Sequence, residues 1–584
     1  MNDIKRLKNC IPKCGSILLL NLVSYLILAG LLIILRVVAG SLLGIIDRPA
    51  FTSGDLPYLI RSWQGILVIL VGLAVLFVYV AVDLNVTILC SKDILENRKI
   101  RLMDTIGRAF ANLRLLLNPA GILIVLFIAF IVPLFGGIFG ISLTSSFRVP
   151  DFILTVINSK PLLYNLYWIF VLAALVLDVM FIFTMHVINL EQKKPKKALK
   201  EALSLFRKNR REFFSRMIPY LLLILASVLA VLLIFVTVPL AALGKASMDT
   251  NVSRFLMLLF VCIGIVVLFV CSAFLDMAFT LELTALFEEF RGTASEVEEK
   301  KINTKYVKRG AVCLAAFLVA VSAVMTVCFD DLFPEFEDES VIIAHRGAGD
   351  LDNENTVRAI GIAYEVGADV SEIDIHRTKD GAYILNHDAD FSRLCGDPRT
   401  PQEMTLEEIR QLRMQDGSSI AALDEIMDAA KGRVRLYIEL KGATADRQMV
   451  DDVYRMLVEK DMVDQCSMIS LNYDVIEYAE TTYPEVDTVY LLYFGFGDLE
   501  DLKCDSLGLE QESATTKNIL AAQAAGKRVD VWTCNTVLSL LSAIRSGANG
   551  IITDNPHILG IIKVGEAVLD SDFLRILNVL LPEL

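Results

Sequence analysis

Long runs of apolar, uncharged residues constrain this chain more than any other feature of its sequence. Seven such runs reach the roughly 20 residues that a helix needs to cross a hydrocarbon layer about 30 Å thick. They occupy residues 16–35, 65–89, 121–142, 167–188, 220–243, 255–281 and 311–329. The mean hydropathy of +0.55 over 584 residues is too high for a water-soluble chain. We therefore predict an α-helical membrane domain with about seven transmembrane helices in residues 1–335.

Lysine and arginine residues cluster in alternate segments between these runs. Basic residues near the ends of a span are retained on the cytoplasmic side of the membrane. The basic segments are the stretch before residue 16 and residues 92–114, 193–216 and 291–309. After the seventh run, by contrast, no lysine or arginine occurs before Arg346. This alternation predicts a multi-pass protein of the cell membrane, with a cytoplasmic N-terminus and an extracytoplasmic C-terminal domain.

Two of the basic segments also carry apolar residues at helical spacing. They are residues 100–116 and 195–213, in which Lys and Arg side chains alternate with Leu, Ile, Ala and Phe. Helices of this kind bind at a membrane surface, with the apolar face toward the acyl chains. We predict that both are amphipathic segments lying on the inner leaflet.

The character of the sequence changes at Val341. From there, short runs rich in Val, Ile, Leu and Tyr alternate with stretches long enough for a helix, which is typical of β/α folds. Eight candidate strands occupy residues 341–345, 369–375, 435–440, 466–471, 487–493, 506–510, 528–534 and 550–554. Eight βα units predict an α/β TIM barrel, (β/α)8, in a second domain of residues 336–584.

Charged side chains gather at the C-terminal ends of the first three candidate strands, where barrel enzymes have their active sites. Glu372 and Asp374 are two residues apart on one strand, so both side chains project to the same face, and Glu439 ends the next strand. Three carboxylates around one point repel each other unless a cation lies between them. The arrangement predicts one bound divalent cation, either Mg²⁺, Ca²⁺ or Mn²⁺, because all three prefer oxygen ligands.

Basic and imidazole side chains flank these carboxylates. Arg346 and Lys441 supply positive charge that suits a phosphodiester better than a neutral sugar. His345 and His387 are suited to act as general acid and general base near neutral pH. The formal net charge of −13 argues against a nucleic-acid substrate. A small phosphodiester is the predicted substrate class.

Five separated motifs resemble the successive motifs of the glycerophosphodiester phosphodiesterase family. In order they read AHRGAGDLDNENT, GADVSEIDIHRTKDGAYILNHDADFSR, LYIELK, VDVWTCNT and GANGIITDNP. The resemblance implies a TIM barrel that hydrolyses glycerophosphodiesters to sn-glycerol 3-phosphate and an alcohol with a bound divalent cation. The apolar half resembles, by its layout, the membrane domain fused to some bacterial members of the family.

The resemblance also implies roles for individual residues. An acid and base pair, three cation ligands and two phosphate contacts fall on His345 and His387, on Glu372, Asp374 and Glu439, and on Arg346 and Lys441. The family commonly has proline before the glutamate of the ENT stretch, whereas this chain has Asn353 before Glu354. We therefore predict that Glu354 supports the site and does not bind the cation. Trp532, near the end of the seventh candidate strand, is predicted to form an apolar wall for the glycerol or alcohol group.

Several alternatives remain open at the level of sequence. The substrate is a small glycerophosphodiester or a polyglycerol-phosphate polymer, and a phospholipase D-like activity on intact or lyso lipids is an alternative. Carboxylates within apolar runs, at Asp83, Asp178 and Asp276, raise a third possibility, a transporter or sensor whose barrel binds ligand. The alcohol, the metal, the assignment of acid and base between the two histidines and the oligomeric state stay undetermined. All the predicted site residues follow Asp338, so the membrane half is predicted to add nothing to the site.

Overall fold

The computed structural model describes residues 14–46, 49–55, 60–131, 157, 161–243, 250–294, 304–333 and 340–566. The chain forms two compact units. One comprises Met1–Ala39 and Trp63–Val327, and the other comprises Gly40–Ser62 and Cys328–Leu584. The unit that holds the C-terminal domain therefore also includes residues 40–62, which the sequence-based boundary assigns to the membrane domain.

The N-terminal part of the chain is helical. Its helices are α1 (Cys14–Ile46), α2 (Trp63–Leu95), α3 (Leu102–Leu116), α4 (Pro119–Ile131), α5 (Pro161–Met180), α6 (Thr184–Glu191), α7 (Pro195–Leu243), α8 (Asn251–Arg291) and α9 (Thr304–Val327). Each of the seven predicted runs falls on one or two of these helices, although residues 132–142 of the third run lie outside the described part of the chain. The prediction of an apolar helical region is confirmed.

Fewer than seven membrane-spanning helices can be counted in the described residues. Four helices in the described segments are long and apolar enough to cross a membrane, and a fifth crossing results if α3 and α4, bent by 117°, form one broken span. The predicted runs at 220–243 and 255–281 lie on α7 and α8, whose side chains are described only in part. The count of seven stays a prediction.

The two predicted amphipathic segments differ in the structure. Residues 102–116 form the separate helix α3, which buries one face. Residues 195–213, however, are the first part of α7, a single helix of 49 residues that continues to Leu243. The helix continues through Pro219, and the position of residues 195–213 on the inner leaflet stays a prediction.

Ten of the eleven strands found in the described residues lie in the C-terminal part. They are β1 (Ala50–Thr52), β2 (Val341–Ala344), β3 (Val370–Arg377), β4 (Tyr383–Leu385), β5 (Arg435–Leu440), β6 (Cys466–Ser470), β7 (Asp487–Leu492), β8 (Gly495–Gly497), β9 (Ser506–Glu510), β10 (Arg528–Trp532) and β11 (Gly550–Thr553). The helices between them include α10 (Phe329–Leu332), α11 (Val357–Glu365), α12 (Ser392–Cys395), α13 (Leu406–Ile409), α14 (Leu423–Ala430), α15 (Arg447–Glu459), α16 (Tyr473–Thr482), α17 (Thr516–Ala524), α18 (Val537–Arg545) and α19 (Pro556–Glu566).

Eight parallel strands close into a barrel. The strands β2, β3, β5, β6, β7, β9, β10 and β11 pair in that order, and β11 pairs in turn with β2. Each of the eight strands predicted from the sequence coincides with one of them, so the predicted TIM barrel is confirmed. Two further pairings are antiparallel: β4 extends the sheet beside β3, and β1 pairs with β8.

The alternation of side chains along the strands separates the core from the site. Ile373 and Ile375 are fully buried in the cluster that packs β3 and β5 against the outer helices. Glu372 and Asp374 alternate with them and therefore point to the other side of the sheet. Below them, the barrel interior is filled by an apolar cluster of Ile343, Val370, Tyr437, Ile469, Val489, Leu491 and Ile552.

Candidate active site

Three buried carboxylates meet at the C-terminal ends of two neighbouring strands. Asp374 of β3 stands opposite Glu439 of β5 in the strand register, and Glu372 lies one pleat below Asp374. One oxygen from each of the three lies within 4.8 Å of one from each of the others. The structure thus brings together the three residues that the sequence predicts as cation ligands.

The electrostatics of this cluster favour a cation. Burial, together with the charges of Asp374 and Glu439, raises the pKa of Glu372 well above its usual range. Burial also raises the pKa of Glu439 to about 7. Among the described residues, Glu372 Oε1 is buried without a hydrogen-bond donor. Oxygen ligands, shared negative charge and an unpaired buried oxygen are what a hard divalent cation requires, so these residues fit one.

Lys441 lies closer to the carboxylates than a phosphate contact alone requires. Its Nζ donates to Asp374 Oδ1 at 2.8 Å and to Glu439 Oε2 at 3.1 Å. Burial alone would raise the pKa of Asp374, but the charges of Lys441, His387 and Arg346 hold it well below its usual range. The ammonium group of Lys441 therefore offsets part of the negative charge of the three carboxylates.

Asn355 and the backbone of Arg346 hold two of the carboxylates in place. Asn355 Nδ2 donates to Asp374 Oδ2 at 2.8 Å and its Oδ1 accepts from the Asp374 N–H at 3.0 Å. The N–H of Arg346 donates to Glu372 Oε2 at 2.8 Å. Asn355 and Arg346 adopt positive φ values, of 58° and 49° respectively. Asn355 was not predicted from the sequence. Asparagine adopts positive φ more readily than most residues with a Cβ, so an Asn beside Glu354 was a possible sign of a tight turn at the site.

His345 is oriented by a carboxylate from the last strand of the barrel. Its Nδ1 lies 2.6 Å from Asp554 Oδ1, and Asn535 donates to the other oxygen of Asp554. Gly349 lets the two loops approach, because a Cβ there would lie 2.1 Å from the Asp554 carbonyl oxygen. From sequence, Asp554 and Asn535 could be assigned only to the rim of the barrel.

His387 has a comparable partner next to it in the chain. Its Nδ1 lies 2.9 Å from Asp388 Oδ1, while Arg393 Nε donates to the other oxygen of Asp388 at 2.6 Å. Burial lowers the pKa of His387, and Asp388 partly opposes that effect. A mainly neutral imidazole with a fixed orientation is suited to accept a proton near pH 7.

Glu354 lies between two arginines and outside the carboxylate cluster. It accepts from Arg346 Nη1 at 3.2 Å and from both terminal nitrogens of Arg393, at 2.9 and 2.6 Å. The predicted supporting role of Glu354 stays a prediction. Within the described chain, Arg346 Nε is buried without an acceptor. A buried guanidinium N–H without an acceptor in the protein is suited to bind an anion.

Trp532 ends β10 and packs against Tyr493, an aromatic residue that the sequence did not single out. The ring centroids of Trp532 and Tyr493 are 5.0 Å apart, and Trp532 Nε1 donates to the Gly508 carbonyl oxygen at 2.8 Å. Burial, followed by the charge of Glu439, raises the pKa of Tyr493. The Tyr493 phenol is thus within electrostatic range of Glu439, and Tyr493 and Trp532 form an aromatic pair at the C-terminal end of the barrel.

Carboxylates, imidazoles and basic side chains at this end of a β/α barrel define a barrel enzyme. Comparison of the sequence with known protein families identifies the class of this enzyme. Residues 7–327 match the family described as the membrane domain of glycerophosphoryl diester phosphodiesterase, and residues 345–558 match the glycerophosphoryl diester phosphodiesterase family. The first match alone spans more than half of the chain. The chain belongs to the glycerophosphodiester phosphodiesterase family, in its form with an N-terminal membrane domain, and is a phosphoric diester hydrolase.

Curated relatives match about two fifths of this chain and almost the whole of their own length. A putative glycerophosphodiester phosphodiesterase of Bacillus subtilis, YhdW, is 25% identical over 239 residues, which are 38% of this chain and 98% of the relative. A glycerophosphodiester phosphodiesterase of Caldanaerobacter subterraneus is 25% identical over 234 residues, 38% of this chain and 96% of the relative.

Solved structures match a similar share of this chain. A glycerophosphodiester phosphodiesterase from Parabacteroides distasonis is 24% identical, with a TM-score of 0.36, and the match covers 40% of this chain and 99% of that one. A phosphodiesterase from Oleispira antarctica, solved in complex with the product sn-glycerol-3-phosphate, is also 24% identical with a TM-score of 0.36, over 40% of this chain and 97% of that one.

Proposed function

We propose that this chain is a membrane-anchored ectoenzyme that hydrolyses glycerophosphodiesters to sn-glycerol 3-phosphate and an alcohol with a divalent cation. The membrane domain, with about seven spans in residues 1–335, carries the catalytic domain of residues 336–584 on the outer face of the membrane. The observation that carries this proposal is the buried cluster of Glu372, Asp374 and Glu439, whose oxygens lie within 4.8 Å of one another beside a basic side chain.

The carboxylates are proposed to bind the cation, and the basic side chains are proposed to bind the phosphate. Glu372, Asp374 and Glu439 would hold the cation, which on binding offsets the charge of a phosphate and polarises its oxygens. Arg346 contacts a phosphate oxygen through the buried Nε that has no acceptor among the described residues. Lys441 adds a positive charge at the same point while it remains tied to the carboxylates.

The two histidines serve as general acid and general base. Hydrolysis of a phosphodiester requires a base that takes a proton from the attacking water and an acid that gives one to the leaving oxygen. His345, held by Asp554, and His387, held by Asp388, each keep Nε2 available because Nδ1 is engaged. Each aspartate fixes which ring nitrogen carries the proton, as in other pairs of carboxylate and imidazole.

The extracytoplasmic position rests on charge and on one strand pairing. Ala50–Thr52 pairs with Gly495–Gly497, and both belong to the unit of the barrel. These residues must therefore lie on the same side of the membrane. One predicted span, residues 16–35, separates β1 from the basic N-terminus, which the distribution of lysine and arginine assigns to the cytoplasm. This supports an outward catalytic domain.

The function is tested by turnover of the full-length protein in detergent micelles or nanodiscs. Glycerophosphocholine, glycerophosphoethanolamine, glycerophosphoglycerol and a polyglycerol-phosphate polymer are compared with lyso and intact phospholipids, each with Mg²⁺, Ca²⁺ or Mn²⁺. Release of sn-glycerol 3-phosphate from the water-soluble diesters supports the proposal. Release of phosphatidic or lysophosphatidic acid alone would favour the phospholipase D-like alternative. Binding of the diesters without turnover would favour a transporter or sensor.

The orientation is tested by proteolysis of intact protoplasts. We expect an added protease to cut within residues 333–339 and to yield a barrel-sized fragment, detected on a denaturing gel with an antibody against the C-terminus. The physical reason is that the acidic segment after the seventh run carries no basic residue that would retain it inside. A fragment that forms only after lysis would place the barrel in the cytoplasm.

Asp554 is expected to act through His345. Replacing Asp554 by asparagine removes the carboxylate 2.6 Å from Nδ1 and leaves a side chain of the same shape. We expect kcat to fall about 10- to 100-fold, the usual effect of losing a partner that orients a functional imidazole, with KM nearly unchanged. Steady-state kinetics with a soluble glycerophosphodiester measure both. If kcat were unaltered in this variant, Asp554 would have no positioning role.

A further inference from the structure

A segment from the membrane half of the sequence contributes to the catalytic end of the barrel. Pro49–Asp55 lies between the first two long helices, yet it belongs to the same compact unit as the barrel. Its strand β1 pairs antiparallel with β8, in the register Ala50 to Gly497 and Thr52 to Gly495. Because β8 follows directly after β7, this contact is at the C-terminal end of the barrel, where the carboxylates and histidines lie.

Ala50, Thr52 and Ser53 of the segment are buried, and its contacts with the barrel are specific. Ala50 and Thr52 are each only 1% exposed. The Thr52 hydroxyl lies 2.5 Å from the hydroxyl of Tyr490 in β7 and donates to Asp55 Oδ2 at 3.0 Å. Gly54 packs closely as well, since a Cβ there would lie 3.0 Å from the Tyr490 hydroxyl. A loop that merely lay on the surface would not bury these three residues.

The hydrogen bonds of the segment fix the residues on both sides of an active-site ring. Ser53 Oγ accepts from the N–H of Tyr493 at 3.0 Å, and the N–H of Ser53 donates to the carbonyl oxygen of Phe494 at 3.1 Å. The N–H of Asp498 donates to the carbonyl oxygen of Pro49 at 3.2 Å. The backbone that carries Tyr493 is thus held by a segment about 440 positions earlier in the chain.

Tyr493 transmits this constraint to the site. Its ring packs on Trp532, and its carbonyl oxygen accepts from Ser513 Oγ at 2.5 Å. We propose that Pro49–Asp55 is a positioning segment of the active site, which holds the wall of Tyr493 and Trp532 against the alcohol side of the bound diester. The proposal deepens the proposed function and rests on it for the identity of the substrate. The sequence analysis placed every residue of the site after Asp338. The proposal adds the loop between the first two long helices to substrate binding.

The test replaces Pro49–Asp55 by a Gly-Ser linker of equal length in the full-length protein. Hydrogen exchange of the peptide around Tyr493 and Asp498 reports whether the loop is held, without any substrate. Turnover of soluble glycerophosphodiesters reports the effect on binding. We expect faster exchange at both amides and a KM about 10-fold higher, with kcat within about threefold, because a binding wall acts equally in the ground state and the transition state.

A matched pair of point variants guards against a linker variant that fails to fold. Thr52→Val keeps the shape of the side chain and removes its hydroxyl, whereas Thr52→Ser keeps the hydroxyl. We expect Thr52→Val to raise KM about threefold and to speed exchange at Tyr493, and Thr52→Ser to behave like the wild type.

Each arm has a result that would overturn the proposal. Unchanged exchange in the linker variant and in Thr52→Val would show that the segment does not hold the loop. Faster exchange with unchanged KM for every diester would show that the contact only stabilises the fold. If the wild type released no sn-glycerol 3-phosphate from any diester, the proposed function would fail, and exchange would still decide whether the segment holds the loop of Tyr493.

Discussion

Replacement of His387 by alanine in the full-length protein is expected to lower kcat by about 10²- to 10⁴-fold, the usual effect of removing a positioned general acid or base. The same change at His345 is expected to have an effect of similar size. KM should change less, because in the proposed site the cation, Arg346 and Lys441 bind the diester. The double variant should be little worse than either single variant, since both imidazoles act in one displacement. Steady-state kinetics of the three variants measure these effects.

A histidine outside the carboxylate cluster provides the control. His557 is the second residue of α19 and is assigned no part in the reaction, so His557→Asn is expected to retain kcat within about threefold. A His387→Ala protein that keeps wild-type kcat with its cation bound would contradict the acid and base assignment. Loss of activity in both the control and the test variants would point to damaged folding, which a thermal melt of each protein distinguishes from lost chemistry.

Removal of one carboxylate from the cluster is expected to weaken cation binding far more than folding. In Glu372→Gln or Glu439→Gln, the cation concentration for half-maximal activity should rise by at least about 10-fold, since even losing an outer partner of a ligand costs that much. Excess cation should restore part of the activity. Without cation these variants should melt no lower than the wild type, because burial and like charges already raise the pKa of both carboxyl groups.

A surface glutamate gives the matched control for this series. Glu477 pairs with Lys503 at 2.9 Å on the exposed side of α16, so Glu477→Gln should leave the cation requirement and the melting temperature nearly unchanged. Calorimetric titration of Mg²⁺, Ca²⁺ and Mn²⁺ into each protein measures cation binding apart from activity. Full activity of the wild type after exhaustive chelation would remove the metal from the proposed mechanism.

The sequence was most informative where function depends on local geometry. Glu372 and Asp374 share a face because side chains alternate along a strand, and this holds for any extended chain. The eight strands were predictable because each is a short apolar run between helical stretches. The length of α7 was not predictable, because composition indicates an amphipathic segment at residues 195–213 but does not show where a helix ends. The partners of Lys441 were likewise not predictable, since they depend on the exact reach of its side chain.

Contacts between distant residues were decided only by the tertiary structure. His345 meets Asp554, which is 209 positions away, because β11 closes the barrel against β2. Ser53 meets Tyr493 because a strand from the loop between two membrane helices pairs with β8. Neither pair leaves a periodic or compositional signal, since such a signal arises from neighbours in sequence. The sequence by itself thus determined the class of fold and the residues that can do the chemistry, and folding decided which distant groups orient them.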